Sequence, residues 1–183
     1  MKFLILSLFL ALSVTAVQAQ KYITKTGYIR FFSTTPVEDI EAQNHQVNAA
    51  LDSQTGDFVF KVLMKSFQFE KALMQEHFNE NYVESDKYPN SVFKGKITNI
   101  KDVDFTKSGK YDVIVEGDLT IKDATRPVKE KGTLEVNGDK VTGLSTFYVQ
   151  VADYNIKVPN TVAGNIAKSI RIDVNVNLEK SNK

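Results

Sequence analysis

His45 and His77 are the only imidazoles in this 183-residue chain, and it has no cysteine. Without a thiol there is no disulfide, no thiolate metal site and no cysteine nucleophile. His77 stands three residues before Glu80 and seven before Glu84, a spacing that puts all three on one side of a helix. A zinc-binding helix of this type carries a second histidine four residues away, and none stands there. His77 also falls in an apolar stripe, so it reads as a packed, hydrogen-bonded histidine beside solvated glutamates. No G-x-S-x-G elbow, no supported Ser-His-Asp order and no glycine-rich phosphate loop is present. The carboxylate pairs Glu38 with Asp39 and Asp102 with Asp104 fall in segments that read as connections. The expectation is a protein that is not an enzyme and holds no metal or cofactor.

The remaining chemistry is that of apolar surface. Phe58, Phe60, Val62, Met64, Phe93, Ile97, Tyr111, Val113, Val115, Leu119, Phe147, Ile172, Val174 and Val176 recur at alternating positions and form the candidate ligand-binding set. If the strands that carry them curl into a closed shell, these side chains point inward. They then either fill the interior, as in small closed barrels, or line a cavity for an apolar guest. A cavity of this kind needs no catalytic group. At about 0.8 kcal/mol per buried methylene, a chain of ~16 carbons gains on the order of 12 kcal/mol before the costs of association.

The elements that would position these residues are mostly strands. Tyr22–Pro36 reads as a first strand or strand pair interrupted at Gly27, with aromatic residues on both faces. Val37–Asn44 reads as a polar connection. His45, Val47, Ala49 and Leu51 alternate up to a turn at 53–57, and Phe58, Phe60, Val62 and Met64 follow on one face. Phe67–Ile97 contains the one helical pattern: Leu73, Met74, His77, Phe78 and Tyr82 recur at three- and four-residue steps, which predicts a helix over about 70–83. Pro89 ends it. Tyr111–Lys122 is the cleanest strand, with Val113, Val115, Gly117, Leu119 and Ile121 opposite Asp112, Glu116, Asp118 and Thr120. Val128, Gly132, Leu134 and Val136 continue a dry face into which Glu130 falls by register. Asn137–Asp139 signals a tight hairpin, and a helical turn is expected near 162–168. The last strand alternates at Ile170, Ile172, Val174, Val176 and Leu178. Gly95, Gly117, Gly132 and Gly143 lie among strand residues, where a glycine marks a bend or a close backbone approach. About eight strands at hairpin spacing with one helix predict an all-β antiparallel barrel, the helix packed at one end.

Residues 1–19, MKFLILSLFLALSVTAVQA, read as a signal peptide with Lys2 before an apolar run and a cut after Ala19. Residues 20–183 then form one exported, periplasmic domain. Removing Lys2 leaves 22 basic against 22 acidic residues, so no global field favours nucleic acid or anionic membranes. No later segment is suited to stable membrane insertion, and a homodimer remains open.

Three blocks carry a family resemblance: LMQEHFNENYVESDKYPNSVFKGKI, GKYDVIVEGDLTIKDATRPV and DYNIKVPNTVAGNIAKSIRIDVNVNLE. With them, nearly all of the mature chain resembles the YceI-like family of exported lipid-binding proteins, and in particular its Bacteroidetes-type members. The resemblance implies an extended eight-stranded antiparallel barrel, lipocalin-like in outline, holding a long isoprenoid or similar amphiphile, with no enzymatic activity established. The expected function is a periplasmic carrier of a polyisoprenoid, quinone-like or fatty-acyl lipid. The alternative is a non-enzymatic envelope stress or interaction protein with a side-chain-filled core.

Overall fold

The computed structural model describes residues 20–181; the predicted signal peptide, 1–19, lies outside them. The strands are β1 (Lys21–Thr34), β2 (Asp39–Asp52), β3 (Asp57–Leu63), β4 (Gln68–Phe69), β5 (Asn90–Ile97), β6 (Gly109–Ile121), β7 (Ala124–Asn137), β8 (Lys140–Gln150) and β9 (Ser169–Lys180). They pair antiparallel in the order β1-β9-β8-β7-β6-β5-β3-β2, and β2 pairs back onto β1. The result is a closed eight-stranded barrel. The two residues of β4 are extra, pairing with Ala42 and Gln43 of β2.

Val37–Asn44 is not the connection its polarity predicts. Most of it belongs to β2, and Asp39 to Asn44 pair with Thr34 to Ile29. Glu41 and Gln43 give this half of the strand its polar look. Its inward residues, Ala42 and Asn44, are fully buried yet carry little hydrophobic signal. One extra residue of β2 is then accommodated between the Ile29↔Asn44 and Gly27↔Val47 pairs. This bulge reverses the expected face of His45. Val47, Ala49 and Leu51 point inward, whereas His45 is exposed and lies against Tyr28 with ring centroids 4.8 Å apart. Asn44 holds the bulge: its amide nitrogen donates to Leu63 O at 2.8 Å, and its Oδ1 accepts the Gln46 amide at 2.8 Å.

The aromatic residues on both faces of β1 also resolve. Phe31 turns inward. Phe32 turns outward and is clasped by two guanidinium groups, Arg30 at 4.4 Å and Arg171 at 4.3 Å from its ring centroid. The Asn137–Asp139 hairpin forms as expected, with Gly138 at φ +60° between β7 and β8.

One end of the barrel is solid. Tyr22, Leu51, Ile97, Leu134, Val136, Val141 and Leu178 are all at most 3% exposed there, and Ile100 and Val103 close it from the β5–β6 connection. Tyr111 braces that connection through its hydroxyl, which donates to the carbonyls of Asp104 and Lys107, both at 3.2 Å. In the same turn Asp104 accepts the Thr106 hydroxyl at 2.6 Å and its amide at 2.9 Å, and pairs with Lys107 at 3.1 Å. The Thr106 donors, with Lys107, hold the Asp104 carboxyl down to about 2. An Asp depressed in the folded state supports its turn fully above its unfolded value of about 3.9 and loses that support as pH falls toward the folded value. An NMR titration should therefore find the Asp104 midpoint near 2. Thr106→Ala should bring it back toward the ordinary aspartate range.

The other end carries the helical segment. Ala72–His77 is α-helical, and Phe78–Tyr82 continues as a π-helical turn. The helix is thus shorter than the predicted 70–83, with its last turn widened. Met64 lies just past β3 in a 3₁₀ turn and is still only 6% exposed. A further 3₁₀ turn at Asn160–Val162 meets the predicted 162–168 only at Val162.

Candidate ligand-binding cavity

Between the solid end and the helical end the barrel is hollow. Its cavity has a volume of about 560 Å³, inside the ~300–1,000 Å³ usual for small-molecule sites. Phe58, Leu134, Gly143 and Val176 form the floor against the packed end. Val113, Val115, Leu119, Phe93, Phe147, Ile172 and Val174 line the waist. Phe31, Phe67, Phe69 and Phe78 cluster toward the mouth, with neighbouring ring centroids 5.1 to 5.7 Å apart. Edge-to-face and tilted pairs at such separations are favourable for aromatic rings. Leu73, Met74 and His77 from the helix face Ile156, Val158, Val162 and Ile166 from the β8–β9 connection around the opening.

Twelve of the fourteen candidate residues line this cavity: Phe58, Phe60, Val62, Met64, Phe93, Val113, Val115, Leu119, Phe147, Ile172, Val174 and Val176. Ile97 and Tyr111 do not. Both share the inward register, but they lie at the closed end of their strands. Ile97 is 0% exposed inside the solid core, and Tyr111 packs against that core with its hydroxyl engaged by the turn. Alternation reports the face a residue points to and carries no information about its height in the barrel.

The helical stripe also departs from expectation. Leu73 is 59% exposed and His77 is exposed. Both sit at the rim of the cavity and are not packed into a core, so the reading of His77 as a packed histidine is corrected. Glu80 is exposed, whereas Glu84 leaves the helix face and pairs with Lys122 of the β6–β7 turn. Glu84 and Lys122 both have positive φ, 48° and 56°. The hydrogen bond from Lys122 lowers the Glu84 carboxyl below its usual range. The mouth is further tied by Glu38, which accepts Lys71 Nζ at 3.2 Å and Asn165 Nδ2 at 3.0 Å. These donors, Asn165 first, hold the Glu38 carboxyl low. Asn155 Nδ2 donates to Asp123 Oδ1 at 3.1 Å. Four connections, β1–β2, β4–β5, β6–β7 and β8–β9, are thereby linked around one opening. Among the described residues no group of three or more His, Asp or Glu side chains is placed to hold a metal.

The wall has one irregular seam. The β7–β8 ladder runs from Asn137↔Lys140 to Gly132↔Ser145 and ends there. Beyond it, Ala124–Lys131 pairs only with β6 and Thr146–Gln150 only with β9. Ser145 Oγ bridges the seam by donating to Lys131 O at 2.7 Å. Glu130 stands beside it, directly across from Val115 and on the same inward face, and it lines the cavity. Burial pushes its carboxyl up from the usual glutamate range. Glu130 and the mouth phenylalanines were absent from the candidate set. The carboxylate was visible as a break in the β7 pattern, and Phe31 was hidden by its outward neighbour Phe32.

Closure, strand order and a largely apolar interior define a lipocalin-like antiparallel barrel with an internal chamber. The model of the YceI-like domain matches residues 17–178. The chain belongs to the YceI-like family. Among solved structures, it is similar to a polyisoprenoid-binding domain from Saccharophagus degradans, described as implicated in plant cell wall breakdown. That match has a TM-score of 0.77 and 10% identity, covering 90% of this chain and 100% of the other. BcnA from Burkholderia cenocepacia follows at TM-score 0.68 and 15% identity, with 83% and 95% covered. A YceI protein from Campylobacter jejuni gives 0.58 and 13%, with 78% and 85% covered. At these identities the likeness is one of fold. No curated protein matches the sequence.

Proposed function

We propose that the protein binds and carries a long apolar molecule, of the polyisoprenoid, quinone-like or fatty-acyl kind, inside the barrel, and that it does so in the periplasm. The observation that carries this reading is the hollow waist. Apolar side chains from β1, β3, β5, β6, β8 and β9 surround a chamber that they leave unfilled. An interior of this kind gains free energy from each methylene it removes from water and needs no reacting group. The polyisoprenoid-binding description of the Saccharophagus domain supports the ligand class. The N-terminal segment, with its single Lys2, apolar run and Ala19, supports export. No helix among the described residues is long and apolar enough to cross a membrane.

The test is extraction. Protein purified without detergent from its own envelope should release a stoichiometric apolar compound into organic solvent, identified by mass spectrometry. The reading fails if the extract is empty and the purified protein also takes up no polyprenol, quinone or fatty acid.

A further inference from the structure

The cavity wall holds one feature that an all-purpose grease pocket does not need. Glu130 is a carboxylate at the waist, opposite Val115 and between Val128 and Gly132 on the inward face of β7. Its sequence neighbours cannot neutralise it from inside: Lys129 and Lys131 occupy the opposite face, and Lys129 is engaged by Glu116 at 2.6 Å. Arg126, next but one on the same face, is exposed at the rim. Among the described residues no salt bridge or hydrogen bond engages the Glu130 side chain. The β7 backbone beside it, Ala124–Lys131, has no ladder partner on the β8 side. An acceptor without a donor and a strand edge without a partner therefore adjoin at one height of a largely apolar chamber. Glu130 is half-buried, so water reaches its oxygens in the empty cavity. A guest that covers them leaves the carboxylate unpaired, at a cost, unless it brings a donor of its own.

We propose that Glu130 is the polar anchor of the cavity, and that the guest is an apolar chain bearing a hydrogen-bond donor, an alcohol or a protonated amine, with fatty carboxylates disfavoured. This rests on the carrier reading and narrows its ligand class. A hydroxyl or ammonium group donates to the Glu130 oxygens. An ionised carboxylate at the same height meets a like charge. The apolar chain supplies most of the affinity, and Glu130 supplies the choice among chains of equal length.

Decanol, decylamine and decanoate share one chain and differ only in the head. Their displacement of N-phenyl-1-naphthylamine from the full-length mature protein at neutral pH reads the choice directly. In the wild type, the alcohol and the amine should each compete about tenfold or more better than the carboxylate, a difference of about 1.4 kcal/mol. Glu130→Gln keeps the shape and removes the charge. It should bring decanoate to within about twofold of decanol and weaken decylamine, with circular dichroism and the urea midpoint close to wild type. Equal competition by all three heads in the wild type would overturn the anchor and leave the carrier reading standing. So would a preference that survives Glu130→Gln. Failure of the fluorophore and of every chain to bind would remove the carrier reading, and the anchor with it. The carboxylate and amine arms also separate the hydrogen-bond donor from simple charge: a preference for the amine alone, with decanol no better than decanoate, overturns the proposal as stated.

Discussion

Gly117→Val is expected to lower the unfolding free energy by about 3 kcal/mol or more, the upper range for overpacking, because the obstacle is main chain. Gly117 of β6 pairs directly with Gly95 of β5 on the inward face of the barrel. A Cβ added at Gly117 would lie 2.9 Å from Gly95 N and closer still to Gly95 Cα and Lys94 O. One added at Gly95 would lie 2.7 Å from Gly117 Cα and 2.5 Å from Phe93 Cζ. Side-chain rotation relieves none of the backbone contacts, so β5 and β6 would have to part. The Phe93 ring folds over the space that the glycine pair leaves, and Phe93 is part of the cavity wall. The substitution therefore strikes the ladder and the chamber together. With a urea dependence of about 1–3 kcal/mol per molar for a domain of this size, the midpoint should fall by roughly 1 M or more. Gly164→Ala serves as the comparison, because a Cβ there meets no atom within 4 Å. Equal midpoints for the two variants would show that the β5–β6 approach is looser than described.

What the sequence disclosed depended on how each strand advertises its buried face. β6 and β9 were legible because one side is rich in Val, Leu and Ile and the other is mostly polar over ten residues or more. The first half of β2 was not legible, because its inward residues are Ala42 and Asn44. A buried asparagine that satisfies the backbone of a bulge gives no periodic signal, although it decides the side to which His45 points. Twelve inward positions of the cavity followed from alternation alone. Ile97 and Tyr111 fall outside the cavity for the same reason that the other twelve line it. A period of two fixes direction, whereas hollow and solid levels differ only in which side chains meet across the axis. At the closed end, Tyr22, Leu51, Ile97, Leu134 and Leu178 meet; at the waist, valines face one another and leave room. Glu130 was readable as a register break, and its significance required the cavity around it.

Val174→Trp is expected to abolish guest binding, weakening it about a hundredfold or more, while leaving the fold intact. Val174 sits at the waist of β9, half-buried, and touches both the solid core and the mouth cluster. Its β-branched side chain leaves the axis open, and an indole there would occupy space that the guest requires. A hundredfold loss corresponds to about 2.7 kcal/mol, less than the burial of four methylenes at ~0.8 kcal/mol each, so excluding even a short length of chain suffices. Stability responds differently from binding. Filling an apolar void recovers dispersion contacts that its lining lacks, so the urea midpoint should stay level or rise. This pairing of outcomes distinguishes a chamber from an imperfectly packed core. In a core with no room, an indole in place of a valine would cost about 1–3 kcal/mol and unfold the protein earlier. The measurements are fluorophore binding and urea denaturation on the same preparation. Lost stability with retained binding would mean that the guest, if there is one, lies elsewhere than along the axis of the barrel.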